Sequence, residues 1–247
     1  MDSGERGTKM KIGNTSNEGK HLIKALIYGE SGAGKTTLAG TIAEPTLVIS
    51  AESGLLTLKN KKIDVIDISQ DDHGSIIPKE KRIARLGEVY QYLLTDEARS
   101  KYKWIFIDSL TEISQNLIEQ LNQEFPERKD SLVMYGENAK RMRSLVKSFR
   151  DLPYYNIVMV ALSIIDKDEN GLRYNAFDLV GGFSAKLPGF FDLVMYLGID
   201  KDGKRVLITE KSDRVIAKDR SNSLAKLEAP DLSVIASKIN KTKENNK

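Results

Sequence analysis

Gly29-Glu30-Ser31-Gly32-Ala33-Gly34-Lys35-Thr36 follows the apolar run LIKALIYG at 22–29 and precedes a helix-period stretch at 35–43. Its spacing is G-x-x-x-x-G-K-[ST], and a strand before with a helix after is the context in which that pattern forms a phosphate-binding loop. The glycines let the backbone turn tightly, so that its N–H groups converge on phosphate oxygens, and the following helix adds its positive end. Lys35 is then expected to reach the β- and γ-phosphates, Thr36 to ligate magnesium, and Thr37 to touch the α-phosphate. The expected ligand is a nucleoside triphosphate, ATP, with Mg2+.

Outward from this loop, TLVIS (46–50), WIFID (104–108) and NIVMVALS (156–163) read as further strands. They are apolar on both faces, as strands of a buried parallel sheet are. Helix-period segments at 35–43, 79–94, 109–124 and 136–150 supply the crossovers that parallel strands require. Past residue 190, FDLVMYLG, KRVLITE and RVIAK are separated by Asp-Gly and Ser-Asp turns. They predict an antiparallel extension of the sheet. The fold class is therefore α/β, a mainly parallel sheet flanked by helices with a C-terminal antiparallel extension. Residues 1–20 and 241–247 are polar and aperiodic and read as tails, which leaves one core at 21–240.

Composition excludes several other chemistries. The 247 residues contain no cysteine, so disulfides, thiolate metal sites and cysteine nucleophiles are ruled out. Two isolated histidines, His21 and His73, do not make a zinc site. Thirty-eight Lys plus Arg against 35 Asp plus Glu leave a net charge of +3, too small to argue for nucleic acid by itself. No apolar stretch approaches a membrane span of about 18 residues, and the first twenty residues have no apolar centre of a signal peptide. The expected location is the cytoplasm, with no membrane partner.

Two carboxylates complete the expected site. Asp108 closes the buried strand WIFID, where it can hold a magnesium-bound water; it can also be read as the cap of the helix that follows. Glu52, just after TLVIS, is placed by the sequence at the end of the strand beside the phosphate loop. There it can orient the attacking water or serve as a base; a solvated loop glutamate is the alternative.

The order of phosphate loop, Ala51-Glu52 after the second strand, and a third strand ending Ile107-Asp108-Ser109 resembles the core of the RecA recombinases. The resemblance runs over about residues 22–225 and implies that Glu52 is the catalytic glutamate. Gly181-Gly182-Phe183-Ser184-Ala185-Lys186 is similar to the end of the second DNA-binding loop of RecA, which implies a DNA loop at about 165–186. Lys218 and Arg220, in Ala217-Lys218-Asp219-Arg220, are similar to the Lys-x-Lys pair that reaches a neighbouring subunit's nucleotide. This implies self-association and trans-acting charge stabilisation. Ser163 stands where RecA has a glutamine linking the γ-phosphate to DNA. The compact length resembles the RecA-core ATPases of phages, including the Sak-type single-strand annealing proteins; the host cytoplasm is the location that implies.

The function implied is an ATPase, stimulated by single-stranded DNA, that promotes annealing or strand exchange, by itself or with a single-strand binding protein. The loops at about 125–135 and 165–186 place cations near aromatics: Arg128, Lys129 and Tyr135 in one, Arg173, Tyr174, Phe177, Phe183 and Lys186 in the other. That combination suits phosphate contacts beside stacked bases, although Phe177 and Phe183 can equally pack on the sheet. Basic residues from Lys140 to Arg150 fall at mixed helical spacings and read as a solvated face. Two other functions remain open: a nucleotide-dependent protein assembly or loading module, and a small-molecule kinase, for which no arginine-rich lid is evident.

Overall fold

The computed structural model describes residues 22–52, 54–127 and 131–241. The two expected tails lie outside these residues, apart from Lys241. The first strand, β1 (Lys24–Gly29), leads through the phosphate loop into α1 (Lys35–Ala39) and back to β2 (Thr46–Ser50). Then come β3 (Asp64–Asp67), α2 (Arg82–Leu93), α3 (Asp96–Lys101), β4 (Trp104–Asp108), α4 (Leu110–Glu124) and α5 (Ser131–Arg150). A long β5 (Asn156–Lys167) turns into β6 (Arg173–Phe177). The chain ends with β7 (Leu193–Ile199), β8 (Arg205–Ile208), β9 (Lys218–Asp219), β10 (Leu227–Glu228) and α6 (Leu232–Lys241).

The sheet runs β10-β8-β7-β1-β5-β4-β2-β3, with β6 paired to β5 and β9 to β7. From β7 to β3 every neighbouring pair is parallel. Alternate residues along a strand face opposite sides, so each buried strand feeds two cores. Leu26, Tyr28, Ile105, Ile107, Ile157 and Met159 pack with α2, α4 and α5. Ala25, Ile27, Trp104, Phe106, Val158 and Val160 pack with α1 and α6. Helix α4 starts where Ser109 accepts a hydrogen bond from the Glu112 N–H and buries Leu110, Ile113, Leu117 and Leu121 at helical spacing.

Several sequence expectations change. β7 is parallel to β1, so the antiparallel extension begins only at β8. The segment 214–218 is not a strand apart from Lys218, because Val215 makes only isolated bridges and the Ile216 N–H donates to the Tyr28 hydroxyl. Helix α1 stops at Ala39, where the Gly40 N–H donates to the Thr37 carbonyl and the Thr41 N–H to the Leu38 carbonyl, both at 3.0 Å. The edge strand β3 escapes the apolar signal because its DVID residues are exposed or only half-buried. The expected loop at 165–186 is largely a hairpin: β5 continues to Lys167, turns at Asp168–Gly171 with an Asp168 to Leu172 closure, and returns as β6.

α6 is a further element that the sequence reading leaves undefined. Asp231 caps it by accepting from the Val234 N–H at 3.0 Å. Thr41 ties it to the end of α1, accepting from the Leu232 N–H at 2.9 Å, while Ser233 Oγ donates to the Thr41 carbonyl at 2.8 Å. Ile235, 1% exposed, fills the second core. Ile235→Ala is therefore expected to lower unfolding stability in urea by about 2–4 kcal/mol; a loss near zero would show that α6 is not docked as described.

Candidate nucleotide site

The site is assembled on the C-terminal edge of the parallel strands. β1 ends at Gly29, where a Cβ would stand 2.5 Å from the Leu197 carbonyl oxygen of β7, so only glycine lets the two strands lie together there. The loop then turns back on itself, with the Ala33 N–H donating to the Glu30 carbonyl at 3.2 Å. Gly34, at φ +103°, enters α1 from the left-handed region that an L side chain resists. Lys35 is buried, and its Nζ donates to the carbonyls of Gly29 at 2.9 Å and Glu30 at 2.8 Å. Burial pulls its pKa down, while Glu52 and Asp108 raise it, so the ammonium sits in the field of both carboxylates.

Asp108 terminates β4, every residue of which is buried, and is itself 4% exposed. Thr36 Oγ1 donates to Asp108 Oδ2 at 2.5 Å, joining the first turn of α1 to the end of β4. Burial raises the Asp108 pKa to about 6; the Thr36 hydrogen bond opposes this, Glu52 adds to it, and Lys35 opposes it. The cap of α4 is Ser109, not Asp108, which leaves the Asp108 carboxylate to the site. Ser109 Oγ also donates to Glu52 Oε1. The Ala51 N–H donates to the Asp108 carbonyl at 2.6 Å, so the chain leaving β2 is tied to β4 just before Glu52.

The sheet order corrects one step of the sequence argument. The strands beside β1 are β7 and β5, and both β5 and β4 separate β1 from β2. Glu52 comes to the site along the strand ends, through Ser109, rather than from a strand neighbouring the phosphate loop. Lys35, Thr36, Asp108 and Glu52 nonetheless converge. The Thr36 hydroxyl and Asp108 carboxylate are hard oxygen donors of the kind Mg2+ takes. No group of three or more His, Cys, Asp or Glu among the described residues could hold a metal, so the remaining ligands of such an ion would be phosphate oxygens and water.

Other residues picked out in the sequence lie elsewhere. Lys218 and Asp219 pair with Val194 and Leu193, which align with Leu26 and Ala25 near the start of β1. Lys218 Nζ donates to the Pro188 carbonyl at 2.7 Å, and Arg220 pairs with Asp192 at 3.2 Å. At about 3.3 Å per residue these cations are some 10 Å or more from the phosphate loop of their own chain, at the other end of the strand. Arg173 is exposed on β6, and Lys186 is exposed on a short 3-10 helix, Ser184–Phe190. Phe177 and Phe183 are core residues, 1% and 0% exposed, and are not available to stack on bases. Arg128 and Lys129 lie outside the described residues. The sequence reading missed Ser109 as the group that holds Glu52, and Arg205 beside the phosphate loop; the S/T-x-x-E pattern at 109–112 is a local signal for the first, while the second has none.

Among the described residues, no helix is long and apolar enough to cross a membrane. The buried Asp108 makes a pH prediction for the nucleotide- and metal-free protein. Its folded pKa is above the ordinary 3.8, so its ionisation penalty is absent well below that value, grows between about 4 and 6, and is complete above about 6. Relative to wild type, Asp108→Asn is expected to gain about 2–3 kcal/mol in urea unfolding between pH 4 and pH 7. Parallel stability curves for the two proteins would remove the buried-carboxylate account.

No curated protein sequence matches the chain. Among solved structures, a prototypical ATPase from the type III secretion system of pathogenic bacteria is similar at 16% identity and a TM-score of 0.45. The match covers 71% of this chain and 51% of that one, so this chain spans about half its length. A family described as an AAA domain matches residues 21–221, which include the phosphate loop, Asp108 and the whole parallel sheet. The chain belongs to this AAA-domain family, and it has the fold of a P-loop ATPase domain.

Proposed function

We propose that the ATPase acts on single-stranded DNA as a compact recombination protein of the phage Sak type, promoting annealing or strand exchange. The observation that carries this reading is the placement of the β5–β6 hairpin. β5 runs between β1 and β4, the two strands that hold the phosphate loop and Asp108, and then continues beyond the sheet edge. A cavity of about 630 Å³ at its flank is lined by Glu30 of the phosphate loop together with Ile165, Leu172, Arg173, Tyr174, Asn175, Asp213 and Arg214. Two arginines with an aromatic and exposed aliphatic side chains suit a sugar-phosphate backbone with unstacked bases. Glu30, which shares this cavity with the hairpin, is the proposed route from nucleotide state to DNA grip.

In the proposed reaction Lys35 leaves the loop carbonyls for the β- and γ-phosphate oxygens. Thr36 and Asp108 are the residues that would hold a magnesium ion, which would supply neutralisation of the phosphate charge. Ser109 keeps Glu52 turned toward the attacking water, whose proton Glu52 accepts or polarises. Lys218 and Arg220 serve a neighbouring protomer, which fits their distance from their own loop; single-stranded DNA, a second copy of the chain and a single-strand binding protein are the proposed partners. A second reading has a specific observation behind it. The hairpin tip carries Asp166, Asp168 and Glu169 beside Ile164, Ile165 and Leu172, which are 45%, 60% and 55% exposed. Acidic charge repels phosphates, and exposed apolar side chains of this kind also suit a protein partner in an assembly or loading role.

Steady-state hydrolysis with and without single-stranded DNA separates the two. Glu52→Gln is expected to reduce turnover by about 10²–10⁴-fold with nucleotide binding retained. Arg173→Ala with Arg214→Ala is expected to abolish DNA stimulation and leave basal hydrolysis unchanged. Hydrolysis indifferent to DNA in the wild type would overturn the recombination reading and favour the protein-partner one.

A further inference from the structure

Among the described residues, most arginines whose contacts are defined pair with carboxylates: Arg85 with Asp72 and Glu88, Arg99 with Asp96, Arg141 with Glu124 and Glu137, Arg150 with Asp151, Arg220 with Asp192. Arg205 has no such partner. It is the first residue of β8 and pairs with Ile199, the last of β7. Since β7 lies parallel to β1 with Tyr196 opposite Tyr28, the β7–β8 turn stands at the same sheet edge as Gly29. The turn is stiff: Asp200 Oδ1 accepts from the N–H groups of Asp202 at 2.9 Å and Lys204 at 2.8 Å, and the Asp200 N–H donates to the Lys204 carbonyl at 2.8 Å. The backbone that carries the exposed Arg205 side chain is therefore held at this edge.

The side chain reaches the phosphate loop. Arg205 Nη1 lies 3.1 Å from where a Cβ on Gly34 would be, and Nη2 is 3.5 Å from the Gly32 carbonyl oxygen. A neutral acceptor at 3.5 Å is a weak partner for a guanidinium. It neither neutralises the charge nor accounts for its placement as a brace. A charged fork resting on a loop whose amides gather phosphate oxygens has its natural partner in those oxygens, which it can bind in a bidentate manner.

We propose that Arg205 is a cis-acting phosphate contact of this ATPase. When nucleotide binds, its guanidinium leaves the Gly32 carbonyl and donates to oxygens of the polyphosphate. The chain thus supplies one arginine to its own nucleotide from the β7–β8 turn, in addition to any that a neighbour provides. The inference rests on residues 29–36 being the nucleotide site, and the control below tests that separately.

The experiment is equilibrium binding, in magnesium, of a non-hydrolysable ATP analogue, ADP and tripolyphosphate to wild type, Arg205→Ala, Arg205→Gln and Lys35→Ala. Charge-assisted hydrogen bonds of this type correspond to about a tenfold to hundredfold change in affinity. Both Arg205 variants are expected to lose that much for the ATP analogue and for tripolyphosphate, with thermal unfolding of the ligand-free protein unchanged. Loss with Ala but not Gln would mean a neutral brace for Gly32, and loss for the ATP analogue but not tripolyphosphate would mean a ribose or base contact. Either result, or full affinity in both variants, overturns the proposal. If Lys35→Ala also binds all three ligands normally, it is the loop assignment that fails.

Discussion

The Thr36–Asp108 hydrogen bond is the contact on which the rest of the site depends. A carboxylate with 4% exposure is costly to ionise, and here it is offset by a hydroxyl donor at 2.5 Å and by the Lys35 ammonium. To meet Thr36, Asp108 must come from a strand whose end lies level with the phosphate loop. The parallel order β1-β5-β4 provides this, since parallel strands all end on one edge. Loop, acid and helix start are therefore brought together by the same property that buries the sheet on both faces.

Glu52 and Ser109 show how a more distant strand contributes. β2 is three places from β1, yet its exit is bonded to β4 through the Ala51 N–H and the Asp108 carbonyl. The hydroxyl that caps α4 also holds the glutamate. Arrangement of the Glu52 carboxylate is thus coupled to the start of a fifteen-residue helix that is deeply buried along one side. A rigid base of this kind is what a water-orienting group requires, because small displacements of such a group are costly to rate.

Much of this was legible in the sequence, and the pattern of what was not is physical. The phosphate loop and Asp108 are local signals: a fixed spacing between an apolar run and a helix, and an acid closing a run of buried residues. The role expected of Glu52 came from its place after TLVIS and then from the resemblance, and its approach was misplaced because strand order in a parallel sheet is not written in strand sequence. The direction of β7 was missed for the same reason, since LVMYLG reads alike beside a parallel or an antiparallel neighbour. Phe177 and Phe183 fitted either a stacking surface or a core, and only packing against Tyr28 at 4.3 Å and Phe190 at 5.8 Å separates the two. Arg205 was invisible, since its meaning depends on β7 lying beside β1. Lys218 and Arg220 were found by pattern, but their position far from their own phosphate loop follows from the pairing of β9 with β7.

The central claim is that Thr36 and Asp108 form the magnesium-dependent half of the nucleotide site. The most direct test is the ratio of ATP affinity in magnesium to that in EDTA, measured for the wild type and for Asp108→Asn. The account predicts a large ratio in the wild type that collapses toward one in the variant, with affinity in EDTA little changed. An undiminished ratio in Asp108→Asn would contradict it and place the metal elsewhere.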